Sequence, residues 1–463
     1  MNRINKIKKA PVWRLDDLYS AIGSPEPNAD LDRAGKDAIA FQKRYQGKLD
    51  GLDGAAFGRA ISEYEVLTEI LHKVLSYAQL YYAADVSDGE AGRFQQAMHE
   101  RVTEISSRTI FFELEINRIG DAALERKLES PEAAHYAPWL RDIRVFRPHQ
   151  LSDEAEKLLL EKSVTGRSAW ARLFEETLAD LRFYIEDEEL TLSETLNLLS
   201  NTEPSVRMET SKAIGQVLGE NLRLFTMITN TLAKDKDIED GWRKYPRPLS
   251  SRNLVNQVED DVVEALVSSV EASYPDLSHR YYKLKARWFG VDKLNYWDRN
   301  APLPGDDDRR FDWAEARAIV LGAYKAFDPE MAQVAERFFE QGWIDAALRP
   351  GKDSGAFSHP AVPSVHPYIL MNFHGKARDV MTLAETASVF GEMLTFRSML
   401  DAETDPARRR ILLAGKVEDM LNTVVRQIAF HGFERRVHDE RALGELSSDR
   451  LCDIWMEAQS ESL

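Results

Sequence analysis

The segment FGRAISEYEVLTEILHKVLSYA, Phe57 to Ala78, decides the reading of the fold. Its apolar residues fall at Phe57, Ala60, Ile61, Tyr64, Leu67, Leu71, Val74 and Ala78, in steps of three and four that place them on one face of an α-helix. Such a stripe predicts burial against a neighbouring element. His72 stands beside the stripe, where a helix-surface histidine is the more frequent case than a ligand, and it is set aside.

The same period recurs outward from this helix, each time with a recognisable start. Ser152 precedes Asp153-Glu154-Ala155-Glu156, a capping residue followed by acids that the helix dipole favours. Asp312 precedes Trp313-Ala314-Glu315, and Asp405-Pro406 places proline at a first helical position, where its missing N–H costs nothing. Strand signals are few. Leu181 to Leu192, with Phe183, Tyr184 and Ile185 before Asp187-Glu188-Glu189, reads as a small hairpin. Gly355 to Phe373 is broken by Pro360, Pro363 and Pro367, a density that favours edge strands and loops over a central strand. The tracts Asp240–Pro248 and Asn300–Asp308 read as loops. The expected fold is mainly α with one small sheet.

Composition narrows the class of function. The 463 residues carry a net charge of −17, the wrong sign for a phosphate-backbone binder, so nucleic acid is not an expected partner. The single cysteine, Cys452, excludes a disulfide framework or a multi-thiolate zinc site and suits the cytosol. The basic opening Met1–Lys9 runs into Pro11, Trp13 and Asp16-Asp17 instead of an apolar core, so no targeting peptide is expected. No apolar run approaches the roughly 18 residues of a membrane helix, so no membrane partner is expected either.

With one thiol, chemistry would rest on histidines, carboxylates, hydroxyls or a metal. No two of the ten histidines are four apart, which excludes the H-E-x-x-H helix that holds zinc with a glutamate base; His99-Glu100 begins that pattern, but Thr103 ends it. G-x-S-x-G and phosphate-loop signatures are absent as well. Asp306-Asp307-Asp308 lacks the alternating ligands, glycine and closing glutamate of a calcium loop and reads as a solvated turn. The most unusual cluster is His359, His366 and His374, followed by Glu385 and Glu392. These two acids are seven apart and share a helix face; alone, such a pair is more often a solvated edge than a ligand pair.

Several longer stretches carry a family resemblance. They are Trp13–Tyr19 (WRLDDLY), Arg147–Ser152 (RPHQLS), Tyr296–Leu303 (YWDRNAPL), Gly351–Phe357 (GKDSGAF) and, most specifically, Pro363–Phe373 (PSVHPYILMNF). In these the chain resembles bacterial oligoendopeptidase F, of the M3 family of zinc metallopeptidases, over essentially its whole length. The resemblance implies a multi-helical shell around a peptide channel with a small β-sheet near the cleft. Residues 1–200 would form an N-terminal helical region with the hairpin, and 201–463 a partial catalytic domain. Short peptides are the implied partners, zinc the implied cofactor and the cytoplasm the implied location.

In the family, zinc is held by two histidines of H-E-x-x-H and a glutamate on a following helix, and oxyanion donors lie near the C-terminus. Here Arg378–Ala384 (RDVMTLA), which should enter the H-E-x-x-H helix, runs directly into Glu385–Glu392 (ETASVFGE), which resembles the helix carrying the third ligand. The intervening block is missing between two similar Thr-Leu-Ala ends, and the helices with the oxyanion donors are not present before Leu463. Of the metal ligands only Glu385 maps onto this chain, with His366, Tyr368 and Gly355 as implied substrate-binding positions. The expectation is a catalytically inactive chain in which zinc is weakly held or absent. The alternatives are a zinc site rebuilt from His366, His374, Glu385 and Glu392, or a peptide-binding scaffold that pairs peptides along an exposed edge near Pro363–Phe373. Loss of a central helix further predicts apolar faces without partners.

Overall fold

The computed structural model describes residues 10–305, 309–387 and 389–463; the aspartate run at 306–308, the basic opening at 1–9 and position 388 lie outside them. The stripe that begins at Phe57 lies in a helix. Helix α1 (Glu26–Tyr45), α2 (Gly54–Ala84) and α3 (Gly89–Thr109) pack together, and Asp53 caps α2 by accepting the Ala56 N–H at 2.7 Å. Phe57, Ala60, Ile61, Leu67, Leu71, Val74 and Ala78 are buried, while Tyr64 is half-buried with its hydroxyl donating to Glu113. His72 is exposed. The expected caps form at Ser152, Asp312 and Asp405; Asp312 makes a full capping box with Glu315.

The hairpin is present as β1 (Phe183–Ile185) and β2 (Glu188–Leu190). Both residues of its two-residue turn, Glu186 and Asp187, have positive φ, the geometry whose twist matches the flanking strands. Helix α4 (Leu222–Arg243) corrects one loop expectation. It runs through Asp240 and Gly241 and stops only at Lys244, which takes the left-handed conformation, so the loop begins after it. Helix α5 (Trp313–Phe327) leads toward the main sheet.

That sheet comprises β3 (Ile344–Asp345), β4 (Ala356–His359) and β5 (Tyr368–Met371), in the order β3-β5-β4. β5 pairs parallel to β3 and antiparallel to β4. The edge expected near Pro363–Phe373 is therefore corrected: β5 is the central strand, and the prolines lie in the connection outside it. All four of its residues are buried. Tyr368 and Leu370 face the core of α1, α2 and α3, whereas Ile369 and Met371 face a second core with Ala316, Val320 and Tyr324 of α5. A strand covered on both faces reads as a continuous apolar run. Lys352 ties β3 to β5 from within, its Nζ donating to the carbonyls of Asp345, Ala347 and Met371 and pairing with the Asp345 carboxylate at 2.7 Å. Burial pushes its pKa down to about 8, against the pull of Asp345.

The remaining chain is helical: α6 (Ala377–Ala387), α7 (Val389–Ala402), α8 (Pro406–Thr423), α9 (Val425–Leu443) and α10 (Ser448–Ser462). In the last helix Ile454 and Ala458 are buried and Leu451 and Trp455 half-buried, as its amphipathic pattern predicts. Among the described residues no helix is long and apolar enough to cross a membrane.

Candidate peptide cleft

The cleft is built from faces of four helices. Asp379 fixes the start of α6, its carboxylate accepting the N–H groups of His374 and Lys376 at 2.8 and 2.9 Å. Burial holds the Asp379 carboxyl above its usual range and the His374 imidazole below its own. From there Arg378, Met381, Thr382 and Glu385 turn one face of α6 into a cavity of about 490 Å³. Lys416, Asp419, Met420 and Thr423 present the corresponding face of α8, Arg426, Gln427 and Phe430 that of α9, and Glu392 comes from α7. A second cavity of about 530 Å³, more apolar, adjoins it and shares Asn300, Arg378, Met381, Asp419 and Asn422. Together they form an extended space with a charged and an apolar end.

The join between the two family-like segments is held from outside the cleft. Tyr324 Oη donates to the Ala384 carbonyl at 2.8 Å. Gly391 lies so close to that ring that a Cβ would meet the hydroxyl at 2.0 Å, so only glycine fits there.

Charges along the cleft are mostly paired. Glu392 meets Lys416 at 2.6 Å, with both side chains largely buried. Glu418 accepts from Lys285 at 2.5 Å and from Tyr281 at 2.7 Å. Asp419 lies 3.6 Å from Arg378. Its burial outweighs Arg378 and Lys416 and pushes its pKa up to about 6. Glu385 is exposed toward the cavity and forms no ion pair among the described residues.

The sequence-derived site residues are scattered. Glu385 and Glu392 line the same cavity. His366 lies elsewhere, stacked on Trp343 with centroids 3.6 Å apart and bonded through Nε2 to Asp17 at 2.8 Å. Tyr368 is fully buried in the core against Trp13. Gly355, at φ +91°, precedes β4, and its carbonyl accepts from Asn372 at 3.1 Å. Since Ala356 pairs with Met371 and His359 with Tyr368, Gly355 and Tyr368 stand at opposite ends of one ladder. Arg378, Lys416 and Asp419 were not singled out in the sequence, although their helical spacing with Glu385 and Met420 was available.

Solved structures share this mainly helical fold. The chain superposes on oligoendopeptidase-F from Enterococcus faecium with TM-score 0.70 at 23% identity, covering 94% of this chain and 79% of that one. For PZ peptidase A the TM-score is 0.75 at 15% identity, covering 97% and 81%. The family model described as Oligopeptidase F matches residues 115–183. Among curated relatives, Oligopeptidase PepF of Bacillus subtilis is 26% identical over 97% of this chain and 72% of its own length, and Group B oligopeptidase PepB of Streptococcus agalactiae 24% over 91% and 75%. Over nearly its whole length, then, the chain is similar to oligopeptidases of the oligoendopeptidase F type.

The resemblance to M3 peptidases implies zinc as a cofactor. The donors here do not fit it. The cavity around Glu385 has no histidine or cysteine in its lining, Glu392 is engaged by Lys416, and among the described residues no three His, Cys, Asp or Glu side chains converge to hold a metal. The four residues of the rebuilt-site alternative, His366, His374, Glu385 and Glu392, do not meet.

Proposed function

We propose that this chain is a member of the oligoendopeptidase F family that retains a cleft for short peptides and has lost the zinc chemistry of hydrolysis. The observation that carries the reading is Glu385 in a cavity without imidazole or thiolate, in a sequence with no two histidines four apart. A catalytic zinc needs three protein ligands and an open position for water; one carboxylate does not supply them. The alignment with the Bacillus relative supports an internal loss, since it runs over 494 positions, more than the 463 residues of this chain. That relative therefore has interior residues without counterparts here. A cytosolic setting is part of the proposal and rests on the lone cysteine.

Peptides would lie between α6, α8 and α9, with Met381, Met420 and Phe430 as apolar contacts and Arg378 and Asp419 as polar ones. The test is hydrolysis of a quenched fluorescent oligopeptide with added zinc, with chelator, and by Glu385→Ala. All three should match the blank, while calorimetric titration with a short peptide still gives a saturable heat. Chelator-sensitive turnover abolished by Glu385→Ala would overturn the loss of chemistry; absence of any saturable change at millimolar peptide would overturn the cleft.

A further inference from the structure

A cavity of about 270 Å³ lies between the C-terminal end of α2, the helix Arg167–Asp180, the helix Leu192–Leu198 and the loop that enters β4. It shares no lining residue with either cavity of the cleft. Its volume is close to the lower end of small-ligand pockets, roughly 300 Å³, and Glu194 and Ser354 of its lining are exposed, so it opens to solvent. Phe174 and Leu348 also line it and stay 41% and 39% exposed, apolar surface that the stem of a ligand would cover.

The hydrogen-bonding groups around this cavity are unevenly spent. Its donors are committed: Arg349 forks onto Asp345 at 2.8 and 2.7 Å, Lys352 is held by Asp345 and three carbonyls, and the Asn372 amide donates to the carbonyls of Asp353 and Gly355. Glu194 is used in a capping box with Thr191. Glu175 and Asp353, by contrast, form no ion pair among the described residues. Desolvation, with Asp353 and Glu176 as neighbours, holds the Glu175 carboxyl above its usual range, and burial does the same to Asp353 against the pull of the Ser354 N–H. Tyr82 adds a third oxygen. It is 6% exposed, and its hydroxyl is buried without a hydrogen-bond partner, a rare condition in a folded protein. Burial together with Glu176 and Glu175 pushes its pKa up, so the phenol stays neutral. Arg172, the cation near that hydroxyl, is turned to Glu176 and Gln96.

Free acceptors carrying negative charge, set among spent donors, define the complement as a cation that only donates. A divalent metal is a poor match, because among the described residues no three His, Cys, Asp or Glu side chains converge to hold one. An ammonium on a short alkyl stem matches: its N–H groups meet the oxygens, its charge compensates two desolvated carboxylates, and its methylenes cover Phe174 and Leu348. We propose that Glu175, Asp353 and Tyr82 form a binding site for a primary alkylammonium, carried by a free diamine or by a lysine side chain. The site does not depend on the cleft between α6, α8 and α9.

The test is calorimetric titration of the whole chain, near neutral pH and at low salt, with cadaverine and with Nα-acetyl-lysine amide. At least one should give a saturable heat, and the tighter of the two identifies the source of the ammonium. Nα-acetyl-norleucine amide keeps the stem without the charge, and methylammonium the charge without the stem; each should bind at least about tenfold more weakly. Glu175→Gln and Asp353→Asn should each weaken the amine at least about tenfold, and Tyr82→Phe about fivefold. Glu445→Gln, at an exposed acid outside the cavity, should bind as wild type does. No saturable heat from either amine, equal affinity for the norleucine amide or methylammonium, full binding by Glu175→Gln or Asp353→Asn, or an equal loss in Glu445→Gln would each overturn the proposal. The ligand series on wild type carries the test should a variant fold poorly.

Discussion

Helices α2 and α8 carry the same apolar periodicity and meet opposite fates. On α2, Leu67, Leu71, Val74 and Ala78 are sealed between α1, α3 and the sheet, none more than 4% exposed. On α8, Leu413, Val417 and Met420 recur at steps of four and three yet stay 45%, 41% and 57% exposed, with Met393 of α7 at 50%. A helical stripe reports that a face wants a partner; the rest of the chain decides whether one exists. The unpartnered stripe lies on α8, which shares a cavity with α6 beside the join at Ala384–Glu385, where the proposed function places the internal loss. Around α2 the fold is held by apolar packing. Around the cleft it depends on buried charge pairs, Glu392 with Lys416, Glu418 with Lys285 and Arg207 with Asp298.

Four tests sharpen or break that contrast. The largest effect is expected from Arg207→Ala. Its guanidinium is 1% exposed, donates to Asp298 Oδ1 at 3.1 and 2.7 Å, and also reaches the carbonyls of Asn201 and Thr202. Stranding Asp298 should cost about 3–5 kcal/mol in urea unfolding; a loss below about 1 kcal/mol would mean that charge does not hold this side. Next, Leu71→Ala should cost about 2–5 kcal/mol, whereas Met420→Ala should stay within about 0.5 kcal/mol. Equal costs would erase the difference between the stripes.

Third, Asp419 gives the cleft side a pH signature. Its folded-state pKa is raised to about 6 from 3.8, so the native state holds the proton more tightly than the unfolded chain. That contribution is fully present below the unfolded value and is lost as pH rises through 6. The Tm of wild type relative to Asp419→Asn should therefore fall between pH 4 and pH 7, and a flat difference would refute the assignment. The smallest effect on folding should come from replacing Leu413, Val417 and Met420 together by serine, which should leave the unfolding midpoint nearly unchanged but reduce any self-association seen by sedimentation.

The sequence made local features legible and distant ones not. The α2 stripe, the caps at Ser152, Asp312 and Asp405, and the hairpin at 186–187 depend on neighbours a few residues away. β5 was misread because its status as a central strand depends on pairing with β3, some twenty-five residues upstream, while the prolines that argued for an edge sit just outside it. The seven-residue spacing of Glu385 and Glu392 did place both on one cavity. That Lys416 neutralises Glu392 and that Tyr368 turns into the core are tertiary facts, set by helix packing over separations no periodicity encodes. The missing histidines were legible at once, because a pair of ligands on one helix has a fixed spacing.

The central claim is that a family cleft persists here without the family's metal chemistry. The most direct measurement is calorimetric titration of the metal-free chain with zinc, compared with Glu385→Ala. The account predicts no stoichiometric heat and identical traces for the two proteins. One zinc per chain, bound tightly by wild type and lost in Glu385→Ala, would contradict it.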